Sequence, residues 1–408
     1  MEPPDWDGNA SDFADKGKTN FWRMMYWGPL FTICITFVIG LCTIFVLVEI
    51  SPPFKSIGGF LSFSLHLIFT YFMFTNFVKA ACYGPGYIRY GWRPANPEHE
   101  RRLQYCPICK GFKAPRSHHC SQCNRCVLKM DHHCPWINNC VGHRNHALFV
   151  KFMTFAVIGC SHAVFICLPV VVFSFMIIFG YSTRRALPVR SLYGLIAALT
   201  SSCLALGVLI AVGLLLWVQI YSVIRLNKTS VEEYICLKAD ARKRKKIFVY
   251  PYDLGWKRNF AEVLWNGNFP KGNGVWWPIK SNCTQFTFSE EQMAQKRLKS
   301  QTARILTVIK EYNGGKTIGS CKIGLKTFFC QPWTDGRRIT VHPGEKYAIT
   351  RGNAHWVYGK YVELRTFVDE EGNVQYEYVA TEHLRRGWFP RACTEASKKI
   401  PEKQQKEE

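Results

Sequence analysis

Between Cys106 and Cys140 lie seven of the chain's 18 cysteines, four histidines and one aspartate, in the run CPICKGFKAPRSHHCSQCNRCVLKMDHHCPWINNC. Three pairs of thiols are separated by two residues, at Cys106 and Cys109, Cys120 and Cys123, and Cys123 and Cys126. They cannot all be disulfide partners, but the spacing suits tetrahedral Zn²⁺. Cys134 directly follows Asp131, His132 and His133. If it is held back as a reactive thiol, six cysteines remain, and two histidines then complete a pair of Cys₃His sites. The competing account is a purely structural zinc ribbon in which Cys134 is one more ligand.

The nucleophilic form of a thiol is the thiolate, and a free cysteine near pKa ~8.5 is mostly protonated at neutral pH. His132 as base, oriented by the Asp131 carboxylate, supplies the logic of a Cys-His-Asp triad, and nearby Zn²⁺ adds positive field. The run Asp131-His132-His133-Cys134, followed by Pro135, Trp136 and Cys140, resembles the signature of the DHHC family of protein S-acyltransferases, and the pattern covers about Tyr105 to Asn145 without a gap. The resemblance implies one zinc on Cys106, Cys109, His119 and Cys126 and a second on Cys120, Cys123, His133 and Cys140, both structural. It makes Cys134 the nucleophile, with His132 and Asp131 as its catalytic partners. It also implies palmitoyl-CoA as donor and a Cys134 thioester as intermediate, which splits one demanding transfer into two exchanges of similar energy without ATP. Family positions that face the phosphates of acyl-CoA fall on Lys113, Arg116 and His118, and Trp136 falls where the cytosolic mouth of the acyl cavity closes. Phe149, Phe152, Ala156 and Gly159, spaced by three, four and three, share one helix face and coincide with cavity-lining positions of the family.

The elements that must position these groups are membrane helices. In a chain of 408 residues with net charge +23, the 48% hydrophobic content is segregated into apolar runs at about Tyr26–Val48, Ile57–Val78, Leu148–Phe179 and Tyr193–Tyr221. Each is long enough to cross a hydrocarbon core, which needs roughly 20 helical residues. The expected fold class is therefore a mainly α multi-pass membrane protein with four transmembrane helices, a cytosolic two-zinc cysteine-rich domain and a C-terminal SH3-like β-barrel. Asp5, Asp7, Asp12 and Asp15 near the start leave no apolar h-region for a cleavable signal peptide. Lysines and arginines set the orientation: the loop from Ala81 to Ala147 carries ten, the connection near Ser51–Ser56 only Lys55, so both termini and the zinc loop are expected in the cytosol. Arg184, Arg185 and Arg190 in the opposite loop run against this bias. Sequons at Asn9, Asn227 and Asn282 then lie on the side that glycosylation does not reach.

Beyond the last span, Thr229-Ser230-Val231-Glu232 resembles the family's Thr-Thr-x-Glu motif and reads locally as a capping box for a helix through Ile235-Cys236-Leu237. Tyr252-Asp253-Leu254-Gly255 with Asn259 resembles the family's C-terminal aromatic motif. The basic run Arg242 to Lys246 suits anionic lipid headgroups at about 1 kcal/mol per residue, and no nucleic-acid module accompanies it. Short alternating segments with turn residues, ending in Gly387-Trp388-Phe389-Pro390, look like an SH3 domain, although Cys393 stands where the groove's last tyrosine is usual. Cys321, Cys330 and Cys393 there are either acylation candidates or buried core thiols. The resulting partition is a tail at 1–25, helices at 26–80, the zinc domain at 81–147, helices at 148–221, a cytosolic region at 222–312, the SH3-like domain at 313–394 and a polar tail at 395–408. Expected partners are acyl-CoA, the bilayer, proteins with cytosolic juxtamembrane cysteines and an accessory subunit on the SH3-like domain. Resemblance points to the endoplasmic reticulum, while the ending Lys403 to Glu408 lacks a dilysine pair. A catalytically inactive zinc-bearing adaptor is the alternative, and intact Asp131, His132 and Cys134 argue against it.

Overall fold

The computed structural model describes residues 14–15, 21–181, 187–242, 248–265, 272–314, 323–332, 336–368, 374–379 and 385–396. Arg184, Arg185, Cys321, most of the basic run, and the two chain ends with Asn9 lie outside the described residues. The chain divides into a unit at 1–290 and a second at 291–408.

Among the described residues of the first unit, four helices are long and apolar enough to cross a membrane. They are α1 (Trp27–Ile50), α2 (Ile57–Cys82), α3 (His146–Ile178) and α4 (Leu192–Val218), the last continuing as a π-helix over Gln219–Arg225. Hydrophobic residues all round each helix leave lipid and neighbouring helices as its only suitable surroundings. The helical backbone satisfies its own polar groups, which the bilayer cannot do. Ser56 and Ser191 cap α2 and α4, each accepting a hydrogen bond at 3.0 Å from the N–H of Gly59 and Gly194. Glu49, near the end of α1, accepts from the Arg190 N–H at 3.1 Å and from the Ser191 hydroxyl, tying it to the start of α4. α2 extends to Cys82, past the expected end at Val78, because Lys79 can lay its alkyl stem along the bundle and keep its charge at the boundary.

The cysteine-rich segment between α2 and α3 is three short hairpins. β1 (Gln104–Cys106) pairs with β2 (Gly111–Lys113), β3 (His118–Cys120) with β4 (Arg125–Val127), and β5 (His132–Cys134) with β6 (Asn139–Val141). The register repeats: Cys106 faces Gly111, Cys120 faces Arg125 and Cys134 faces Asn139. Each turn also places one residue in the left-handed region, Lys110 and Asn124 at φ 53° and Asn138 at φ 47°.

Behind the hairpins, helix α5 (Ser230–Asp240) begins with the anticipated capping box: Thr229 Oγ1 accepts from the Glu232 N–H at 3.3 Å, and Glu232 Oε2 from the Thr229 N–H at 2.9 Å. Glu232 also takes both forks of Arg116, Nε at 2.7 Å and Nη2 at 2.8 Å, with neither side chain exposed. Tyr250 donates its hydroxyl to the same carboxylate at 2.7 Å, and the Arg116 guanidinium stacks 4.5 Å from the Tyr252 ring centroid.

In the second unit an antiparallel sheet is formed by β7 (Arg304–Val308), β8 (Lys346–Gly352), β9 (Trp356–Val368), β10 (Val374–Val379), β11 (Arg386–Pro390) and β12 (Thr394–Ala396). The order is β10-β9-β8-β7-β12, with β11 also on β9, and the described pairings do not close it into a barrel. β7 precedes the expected start at 313, yet belongs to the sheet through its pairs on β8 and β12. Trp356, Tyr347, Phe389 and Cys393 are wholly buried in its core, whereas Cys330 is exposed.

Removing one member of the buried Arg116–Glu232 pair strands the other charge, so Glu232→Ala or Arg116→Ala should destabilise the first unit by about 3–5 kcal/mol. Thermal unfolding of the purified protein in detergent checks this. A melting point unchanged from the parent would show that the pair does not hold the fold.

Candidate active site and metal centres

Two groups of ligand atoms converge, each within 4.8 Å: Cys106, Cys109, His119 and Cys126, and Cys120, Cys123, His133 and Cys140. The hairpins interleave, since each group takes both turn cysteines of one hairpin and a histidine and cysteine paired across the next. His119 Nδ1 lies 3.5, 3.4 and 3.8 Å from the sulfurs of Cys106, Cys109 and Cys126. His133 Nδ1 lies 3.7, 3.5 and 3.7 Å from those of Cys120, Cys123 and Cys140. A tetrahedral ion with Zn–S ≈ 2.3 Å and Zn–N ≈ 2.0–2.1 Å has S···N edges of about 3.5 Å, so both donor sets fit zinc in chemistry and in size.

Cys134 belongs to neither group. It is buried at the end of β5, beside an imidazole that faces the other way from its neighbour: His133 turns to the second metal group, and His132 turns to Asp131. His132 Nδ1 donates to Asp131 Oδ2 at 2.8 Å, which leaves Nε2 as the nitrogen that can take the Cys134 proton. Burial lowers the basicity of His132, but the Asp131 carboxylate and the adjacent Cys134 outweigh it and push the pKa up to about 10. Burial likewise opposes ionisation of Asp131, yet the His132 hydrogen bond and charge, with further donors, hold its carboxyl below the usual range.

Those donors were not evident from the motif. Gln219 Nε2 donates to Asp131 Oδ2 at 2.8 Å, the Ser230 N–H donates to Oδ1 at 2.6 Å, and His146 Nε2 donates to Gln219 Oε1 at 3.0 Å. Gln219 is buried at the point where α4 loosens into π-helix. A lone amide at the end of an apolar run is the signal that could have found it. The Thr-Ser-Val-Glu segment thus reaches the site through a backbone amide and not through the Ser230 hydroxyl. Asn259 is wholly buried and donates to the Arg225 carbonyl at 2.7 Å, fastening the exit of the π-helix.

Asn139, opposite Cys134 in the hairpin, ties this assembly to the membrane helices. Its amide donates to the carbonyls of Ala80, Ala81 and Tyr83 at 3.2, 3.1 and 2.8 Å, and its Oδ1 accepts from Arg23.

Of the expected donor contacts, Arg116 is corrected. Its guanidinium is wholly enclosed by Glu232, Asn227 and aromatic rings, so it braces the fold and is not available to a phosphate. Asn227, one of the three sequons, is itself buried in that network. Lys113 and His118 are half-buried on β2 and β3. Trp136 is partly exposed and packs against Trp27 and Phe31 of α1, with ring centroids 5.5 and 5.8 Å away. Phe149 sets its edge against His132 at 5.5 Å and is followed along α3 by Phe152, whose ring lies 5.2 Å from Phe77 of α2. A side chain added at Gly159 would meet only Phe69, with Cβ atoms 3.8 Å apart. Deeper still, His66 and His162 face each other at 5.6 Å, and His162 Nε2 bonds Ser62 at 3.1 Å.

A family model described as DHHC palmitoyltransferase matches residues 99–236. Over 397 residues, 91% of each chain, the sequence is 37% identical to mouse (Mus musculus) palmitoyltransferase ZDHHC6. The human (Homo sapiens) and zebrafish (Danio rerio) proteins of that name are 37% and 39% identical, again over 91% of this chain, and over 91% and 92% of their own lengths.

The two kinds of histidine and the unshared cysteine separate under mutation. Cys134→Ala should keep both zinc ions, and His133→Ala should lose metal and soluble yield together, because binding and folding of so small a segment are linked. Elemental analysis of the purified proteins decides. A fall to one zinc in Cys134→Ala would make that thiol a ligand.

Proposed function

Because the chain belongs to the DHHC palmitoyltransferase family, we propose that it moves a long-chain acyl group from acyl-CoA through a Cys134 thioester to cysteines of proteins at the membrane face that carries the cysteine-rich segment. The observation that supports this most directly is the run Asp131, His132, Cys134, with its buried carboxylate accepting three hydrogen bonds. His132 takes the Cys134 proton, and the thiolate attacks the acyl-CoA carbonyl. Coenzyme A leaves as thiolate and is protonated by His132. An acceptor cysteine then gives its proton to His132, attacks the Cys134 thioester and frees the enzyme thiol. Asp131 keeps His132 in the tautomer and orientation that both halves need. Zinc bound on the two Cys₃His groups would fix the hairpins that carry Cys134.

The acyl chain runs along α3 from Phe149 through Phe152 and Ala156 toward Gly159, with Trp136 at the mouth and Lys113 and His118 toward the donor's phosphates. The Phe149–His132 contact supports this course, and an added Cβ at Gly159 would touch only Phe69 of α2, at ordinary contact distance of 3.8 Å. The ten lysines and arginines of the cysteine-rich loop support cytosolic termini, and resemblance to the ZDHHC6 proteins supports an endoplasmic reticulum membrane. The second unit is read as an SH3-like domain because its last strand, β12, follows a 3₁₀ turn at Arg391–Cys393 and pairs back on its first, β7. Its role is to dock an accessory subunit.

Incubation with labelled palmitoyl-CoA should leave a hydroxylamine-sensitive adduct on the parent protein and none on Cys134→Ser, with His132→Ala reduced at least 100-fold. Absence of the adduct from the parent would leave a zinc-bearing adaptor as the surviving account. Gly159→Phe should shift competition between C18 and C14 acyl-CoA toward C14, because overfilling an apolar site costs about 1–3 kcal/mol. An unchanged ratio with activity intact would remove Gly159 from the slot.

A further inference from the structure

The hairpin that carries Cys134 repeats the two metal-binding hairpins with one ligand missing. Cys106 and Cys109 hold equivalent places in the first turn and Cys120 and Cys123 in the second, and the same places in the third are Cys134 and Ile137. The strand pairing is the same in all three, and so is the left-handed residue that follows, at Lys110, Asn124 and Asn138. In the second turn the Cys123 N–H donates to the Cys120 sulfur at 3.3 Å, the usual posture of a metal-binding turn. Ile137, by contrast, is wholly buried and packs with Cys134 in one apolar cluster that includes Leu148 and Phe149.

A second, independent feature comes from His132. Metal-binding imidazoles commonly donate their other ring N–H to a carboxylate, which fixes the tautomer and raises ligand basicity. His132 makes that bond to Asp131 at 2.8 Å and stands two residues before Cys134 on the same strand, so both side chains lie on one face of β5. A thiol and a carboxylate-backed imidazole are two of the three protein ligands in a Cys₂His zinc site with an open position. The third would come from the position that Ile137 occupies.

We propose that the Asp131–Asn139 hairpin is a zinc knuckle lacking one ligand, and that Ile137 is the residue that withholds soft metal ions from the nucleophile. The inference rests on the reading of Cys134 as nucleophile. An aliphatic side chain beneath the thiol offers no donor, so a metal there has two protein ligands and does not compete with acyl-CoA.

The test supplies the missing ligand in the full-length protein. Ile137→Cys purified with Zn²⁺ should rise from two zinc ions per chain to three and lose the palmitoyl adduct at least tenfold. Ile137→Ser, the same size without a ligand thiol, should stay at two and keep the adduct. Combining Ile137→Cys with Cys134→Ser should return the count to two. Should loss of the buried isoleucine weaken folding, Ile137→His retains bulk and offers a nitrogen, and it too should gain the third ion. A count of two in both ligand-bearing variants, with acylation equal to that of Ile137→Ser, overturns the proposal, as does a third ion that survives Cys134→Ser. Zinc counting does not depend on acyl transfer, so a third ion in a protein that never acylates would uphold the knuckle and remove only the acyl-enzyme reading.

Discussion

The Asp131 carboxylate has no exposed surface, and a buried charge is tolerable only if its lone pairs are taken. Most of the first unit is arranged so that they are. The donors come from three different elements: His132 next door, Gln219 from the end of the fourth helix, and the backbone of Ser230 at the head of α5. Each must be delivered to within hydrogen-bond distance of one small group. Helix bundle, zinc hairpins and the segment after the bundle therefore cannot settle independently.

The Arg116–Glu232 pair acts one layer further out. Glu232 completes the capping box that sets the direction of α5, and the capping box in turn aims the Ser230 N–H at Asp131. Arg116 lies in the loop between the first two hairpins, so the pair also presses the metal-binding segment onto the same helix. Without such anchoring, a segment built from three-residue strands has too little apolar surface to fold alone, and metal supplies what its core does not.

Much of this was legible in the chain. Cysteine spacing and count pointed to two Cys₃His zinc sites, and the resemblance carried by Asp131-His132-His133-Cys134 named their ligands; the structure brings those same two donor sets together. The four spans were readable because the bilayer sets their length and composition. Arg116 misled for a physical reason: a basic residue in a polar loop looks solvated until its partner 116 residues away is in place. Gln219 escaped notice because its meaning lies in which helix end meets which loop, and hydropathy does not encode that. The start of the C-terminal sheet was placed late, since a strand such as Arg304–Val308 resembles a short linker until its partners at Lys346–Gly352 and Thr394–Ala396 flank it.

The bond from Asn139 to the end of the second helix has a spatial corollary. Asn139 faces Cys134 across the hairpin, and its amide is pinned to the last carbonyls of that helix. The Cys134 sulfur is consequently held at a fixed distance from the end of that helix. Under the proposed acyl transfer, acceptor thiols must come to that level. Reach, more than the sequence around the acceptor, then becomes the filter: a cysteine a few residues from a membrane segment or a lipid anchor arrives at the right level by default, and one on a rigid domain standing well above the lipid does not.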